Sequence, residues 1–126
     1  MEKGFLILAT LLGLVSVTVA TAGTATYYDQ YTPSKCYGYA DQGTMIAAAS
    51  DVLWNNGAVC GKKYTVKCTG PTNQGIPQPC TGKTVTVKIV DYCPSGCQGT
   101  LDLSKEAFST IANTDAGKIK IDYNPA

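Results

Sequence analysis

The sequence predicts a small, disulfide-stapled, mainly-β domain of closed-barrel type. Three observations carry this. Removal of an N-terminal leader leaves about a hundred residues, enough for one domain. All six cysteines lie beyond that leader, and an even count in a short exported chain reads as three disulfides; the competing zinc reading has no histidine to draw on. Strand-type alternation dominates, with two short helical segments and no strand–helix–strand rhythm, which favours strands closed on themselves through crossing connections.

The leader is assigned first because it takes no part in the fold. Glu2-Lys3-Gly4 is a short polar start, Phe5 to Val19 is an apolar run, and Ala20-Thr21-Ala22 supplies the small residues a signal peptidase reads. The run is short for a membrane span, and small residues follow it at once. Residues 1–22 are therefore expected to be a secretory signal peptide cut after Ala22, with a cut after Ala20 as the alternative, and residues 23–126 to be the mature domain. No other apolar run is long enough to span a bilayer. Ten basic and nine acidic residues give a net charge of +1, with no basic block to support nucleic-acid binding. The chain has no histidine, which removes Ser-His-Asp and Cys-His catalysis. Any acid–base chemistry must rest on carboxylates.

From Gly23 to Tyr28 the chain reads as a strand, with Thr24, Thr26 and Tyr28 on one face and Ala25 and Tyr27 on the other. Thr26 and Tyr28 are either good strand formers or a hydroxyl pair lining a groove. Asp29 to Thr44 is a loop in which Tyr31, Tyr37 and Tyr39 either stack on sugar rings or cover a small core. Met45 to Ala49 is a short buried strand. Ser50 is placed to N-cap a single helical turn through Trp54, and Asn55-Asn56-Gly57 stops it; Trp54 is expected to plug the core. Lys63 to Cys68 alternates outward lysines and threonine with inward Tyr64, Val66 and Cys68. Thr69 to Gly82 is a polar, proline-rich loop closed by Cys68 and Cys80.

The stretch from Val85 to Phe108 carries the chemistry. Thr84 to Val90 is the best strand of the chain, and Asp91 stands at its tip. A Cys-Pro-Ser-Gly-Cys loop follows, and then a second acid, Asp102, before a short helix. Ser104 is a good N-cap, Leu103 and Phe108 are spaced for a hydrophobic staple, and Glu106 sits in the first turn where the helix dipole favours an acid. Because Ser104 caps the helix, Asp102 has no evident local duty. The two carboxylates read as a catalytic pair, a sugar-binding pair or a structural brace. Asn113 to Gly117 is a turn, and Lys118 to Tyr123 alternates cleanly as a terminal strand.

Taken together, Thr26-Tyr27-Tyr28, Trp54-Asn55-Asn56-Gly57 with Cys60-Gly61, Tyr64-Thr65-Val66-Lys67-Cys68, Val90-Asp91 and Leu101-Asp102-Leu103-Ser104 with Ala107-Phe108 resemble expansin domain 1. The single-domain branch is most similar: plant natriuretic peptides and blight-associated p12-like, endoglucanase-45-like domain proteins. The resemblance implies a six-stranded double-psi β-barrel with one or two short helices and three disulfides, paired Cys36–Cys60, Cys68–Cys80 and Cys93–Cys97. Spacing alone leaves fifteen connectivities open. It also implies a polysaccharide-binding groove at Thr26, Tyr28, Asp91 and Asp102, with Asp102 the relic of a proton donor, and no cofactor or metal.

Three departures bear on activity. Expansins carry His-Phe-Asp where this chain has Thr100-Leu101-Asp102. Cys93 occupies a position that is aromatic in bacterial expansins. The expansins' second, carbohydrate-binding domain has no counterpart in this sequence. Two-carboxylate hydrolysis needs a base across the groove from the acid. Asp29 is one residue out of register for that task, and Asp91 fits better as a neighbour whose charge raises the Asp102 pKa. The non-enzyme barwin shares the same signature, so it marks the fold more than catalysis. The resemblance thus implies a secreted, apoplastic, non-enzymatic monomer that signals in water and solute homeostasis and stress through a cell-surface receptor. The alternatives are a wall protein binding or loosening β-glucan and a barwin-like defence lectin.

Overall fold

A computed structural model describes residues 19–73, 75–94 and 96–126. The apolar part of the leader, apart from Val19, lies outside the described residues. Six strands form a closed barrel in the order β1-β5-β2-β4-β3-β6: β1 (Thr21–Tyr28), β2 (Ile46–Ala49), β3 (Lys63–Pro71), β4 (Thr84–Tyr92), β5 (Leu101–Ser104) and β6 (Ile119–Pro125). β1 runs parallel to β5 and β2 parallel to β4, and the other neighbours are antiparallel. This is the six-stranded double-psi arrangement. No described helix is long and apolar enough to cross a membrane.

Alternation explains the closure. Ala25, Ala47, Ala49, Val66, Val87, Ile89, Leu101, Leu103 and Ile121 are buried and point inward at every second position of their strands. The small inward residues of β1 and β2 leave room for the branched ones on β4 and β5, which suits the interior of a narrow barrel. The helix α2 (Lys105–Ile111) adds buried Ala107, Phe108 and Ile111, and Phe108 lies 4.8 Å from the Tyr27 ring. Ser104 caps α2 by accepting the Ala107 N–H at 3.0 Å. Three disulfides join Cys36 to Cys60, Cys68 to Cys80 and Cys93 to Cys97. The first joins the loop after β1 to the segment before β3, the second ties the loop after β3 back to that strand, and the third closes the turn between β4 and β5.

Four details differ from the sequence reading. β1 begins at Thr21, pairing Thr21 with Tyr123 and Ala22 with Asp122. β3 runs on past Cys68 to Pro71 through a register shift, with the proline tolerated because it ends the strand. Leu101–Ser104 forms a sixth strand that periodicity did not pick out. Ser50 occupies the N-cap position of α1 (Asp51–Trp54), but its hydroxyl makes no capping bond. The turn after α1 does adopt positive φ, at Asn55, Asn56 and Gly57.

Candidate functional site

The outer face of β1-β5-β2 carries the sequence-predicted residues, and strand register brings them together. With Ala25 and Tyr27 inward, Thr24, Thr26 and Tyr28 face out. Leu101 and Leu103 are inward on β5, so Asp102 and Ser104 face out. Ala47 and Ala49 are inward on β2, so Ile46 and Ala48 face out. Thr26 pairs with Asp102, Asp102 with Ala48, and Ala48 with Asp91. Thr26, Asp102, Ala48 and Asp91 are therefore one row across four adjacent strands. Asp91 and Asp102 stand two strand spacings apart, about 10 Å between Cα atoms, with only the alanine methyl between them. Tyr28 follows two residues beyond Thr26 and pairs with Ser104.

Asp91 reaches this row through a β-bulge. Val85, Val87 and Ile89 are buried, and strict alternation would send Asp91 inward after them. The β2–β4 register instead shifts between Ala47, opposite Ile89, and Ala48, opposite Asp91. Val90 is the extra residue, and it returns Asp91 to the outer face. A backbone cradle then fixes the carboxylate, since Asp91 Oδ1 accepts the N–H groups of Lys35 and Tyr92, both at 2.8 Å.

Asp102 is the electrostatic centre. Thr26 Oγ1 donates to its Oδ1 at 2.9 Å. Burial pushes the Asp102 pKa above the ordinary aspartate value; the Thr26 bond holds it down, and the Asp91 charge adds a further upward push. Burial also raises the Tyr28 phenol, helped by the negative charges of Asp91 and Asp102, so Tyr28 is a proton donor throughout the physiological range. The Tyr28 hydroxyl is buried and has no hydrogen-bond partner among the described residues. Its ring meets Tyr31 edge-on, with centroids 5.2 Å apart. Tyr31 in turn donates to Glu106 and accepts the Lys105 N–H at 3.2 Å, pinning the 29–44 loop to the start of α2.

Two cavities lie on either side of this row along the strand direction. One of about 300 Å³ includes Thr24, Ser50, Cys97 and Thr100; Thr24 and Thr100 sit two residues before Thr26 and Asp102 on parallel strands. The other, of about 350 Å³, includes Tyr31, Ser34, Ile46 and Val90, on the far side of Tyr28. The outer-face strip between them, the trough, has Ala48 at its centre, with Asp102 and Thr26 on one side and Asp91 on the other.

All four predicted groove residues thus share one face, with Thr26 and Asp102 in direct contact. Sequence reasoning missed Ala48, the Val90 bulge, the Tyr31 anchor and the Thr24–Thr100 end. One signal was available. An acid at an inward position, straight after Val85, Val87 and Ile89, calls for a phase slip in the strand.

Comparison with known proteins follows the same lines. A family model described as lytic transglycolase, the DPBB_1 domain, matches residues 46–123. The EG45-like domain containing protein of Citrus jambhiri is 64% identical over 112 residues, spanning 88% of this chain and 86% of its own. The putative EG45-like domain containing protein 1 of Arabidopsis thaliana is 60% identical over 126 residues, spanning 99% and 100%. Among solved structures, an expansin of Clavibacter michiganensis in complex with cellohexaose superposes with a TM-score of 0.63 at 28% identity, over 86% of this chain and 50% of that one. A Streptomyces papain inhibitor gives 0.60 at 26% identity, over 86% and 97%.

Proposed function

Because the chain belongs to the EG45-like domain proteins of the expansin-related double-psi family, we propose that it is a secreted, apoplastic protein whose outer trough holds a β-linked glucan chain without cleaving it. The observation that carries this is the Thr26–Asp102–Ala48–Asp91 row with a cavity on either side of it along the strand direction. An extended trough of hydroxyls and carboxylates with a small-residue floor suits a linear polymer rather than a compact ligand. The expansin superposed above was crystallised with cellohexaose, which agrees with that ligand class. Thr26 and Asp102 would hydrogen-bond sugar hydroxyls, and the unpartnered Tyr28 hydroxyl would donate to one.

The placement of the carboxylates supports retention without hydrolysis. An inverting enzyme needs acid and base on opposite faces of the sugar ring. Asp91 lies on the same wall as Asp102, and its Oδ1 is occupied by two backbone N–H groups. A raised Asp102 pKa alone provides half of a catalytic pair. The test is sedimentation of the mature protein with cellulose and mixed-linkage β-glucan, alongside reducing-sugar release. Retention lost in Asp102→Asn and Thr26→Val, with no sugar released by any form, is the expected result. Retention unchanged in both variants would sink the groove assignment, and sugar release by the wild type would sink the non-hydrolytic reading. The second reading, signalling in water and solute homeostasis through a cell-surface receptor, is supported by the resemblance to the natriuretic branch. It predicts protoplast swelling that survives Asp102→Asn.

A further inference from the structure

We propose a second, independent binding site on the next wall of the barrel, where Lys63 of β3 and Lys88 of β4 take a carboxylate of an acidic, uronate-type polysaccharide. The starting point is a register oddity. Lys63 and Lys88 are directly paired across the antiparallel β3–β4 ladder, and like charges directly opposite destabilise a sheet. Lysines often guard exposed sheet edges against unwanted pairing, but a closed barrel has no edge to guard. The pair thus costs stability without the usual return.

These lysines line a cavity of about 330 Å³ with Gln42, Met45 and Thr86. No acid is among the lining residues. Lys67, the next outward lysine on β3, has Asp122 of β6 opposite it, whereas Lys63 has another lysine, Lys88, opposite it on β4. Lys88 is half-buried and held in place: its ammonium donates to Gln42 Oε1 and lies 5.2 Å from the centre of the Tyr37 ring. The remaining lining groups define the ligand. Two ammoniums suit a carboxylate, the Thr86 hydroxyl and Gln42 amide suit sugar hydroxyls, and Met45, 40% exposed, offers an apolar contact to a sugar face. An inorganic anion would leave the last three unused. An open sheet face lets a chain pass over while one uronate residue docks.

The experiment is retention of the mature protein on immobilised polygalacturonate at low and high salt. Methyl-esterified polygalacturonate, neutral β-glucan and phosphatidylcholine vesicles containing phosphatidylserine are run in parallel. The expected result is retention on polygalacturonate that weakens with salt and with esterification. The double variant Lys63→Gln, Lys88→Gln should weaken it about tenfold, since two charge contacts are lost. Lys118→Gln, Lys120→Gln, which removes the same charge elsewhere, should leave it within about twofold. Thermal melts of both double variants confirm folding, and Asp102→Asn should retain polygalacturonate binding, which separates this site from the glucan trough. Equal retention on the methyl ester, equal loss in the two double variants, binding confined to the vesicles, or no retention at all would each overturn the proposal.

Discussion

Replacing Thr26 by valine tests whether its hydroxyl sets the ionisation of Asp102. The substitution keeps the branched shape and the strand while removing the donor 2.9 Å from Asp102 Oδ1. A hydrogen bond to a charged group is worth roughly 1.5–3 kcal/mol when buried. Asp102 is half-buried, and solvent screening brings the figure down to about 1 kcal/mol. The Asp102 pKa, already raised by burial and by Asp91, should therefore rise further. Asp91→Asn should lower it, and by less than Thr26→Val raises it, because that charge acts across two strand spacings through a wetter medium. The linkage has a definite sign. A carboxyl with a raised folded pKa binds its proton more readily folded than unfolded, so its contribution to stability falls as pH rises from the unfolded value to the folded one. Thr26→Val extends that window upward. Its destabilisation should be largest near neutral pH and should fade as pH falls through the two raised folded values, before the unfolded value of about 3.9 is reached. The assay is a ¹³C carboxyl NMR titration of both forms, with thermal melts over the same pH range. An Asp102 midpoint that stays put or falls in Thr26→Val would refute the reasoning.

Four further outcomes follow from other parts of the molecule. Ala48→Val narrows the trough floor between the two acids and should abolish glucan retention at a cost of about 1–2 kcal/mol, read by pull-down and by melting. Tyr31→Phe removes the bonds to Glu106 and to the Lys105 N–H; it should speed hydrogen exchange over residues 29–35 and let the lowered Glu106 pKa rise toward its usual value, with little change in the melting temperature because both bonds are exposed. Gly99→Ala should destabilise by about 1–3 kcal/mol, because its Cβ would stand 2.9 Å from the Leu101 carbonyl oxygen and 3.2 Å from both the Thr24 oxygen and the Thr26 nitrogen, all backbone atoms that must shift together; a denaturant melt measures it. Mass spectrometry of the secreted form should give a chain starting at Thr21, since a cut after Ala22 would discard the Thr21–Tyr123 and Ala22–Asp122 pairs.

Local chemistry made much of this molecule readable from its sequence. Alternation placed Thr26 and Tyr28 on one face of β1 and Lys63, Thr65 and Lys67 on one face of β3, because a strand's side-chain period is fixed. Ser104 was legible as a cap, and that left Asp102 without a local duty; its partner, Thr26, lies 76 residues away in sequence. Long-range pairing was not readable in the same way. Leu101–Ser104 has too few residues to show a period, and it is a strand only because β1 and β2 supply its hydrogen bonds on either side. Ser50 has the composition and position of a cap, yet its hydroxyl is buried without a partner. The row that unites the groove depends on the register among four strands, which no window of adjacent residues contains.

Val90 shows how tightly that register is set. Before it, β4 keeps time with the barrel interior; after it, the same strand keeps time with the ligand face, one beat displaced. A substitution at this position alters packing, whereas a deletion would remove the bulge itself. Asp91 would then follow Ile89 directly and stay opposite Ala48 on the outer face by plain alternation, but the Val90 carbonyl that accepts the Cys36 N–H would be gone. The extra residue therefore serves the neighbouring loop: it frees one carbonyl from the ladder to hold the chain at Cys36, beside the acid that receives the Lys35 N–H.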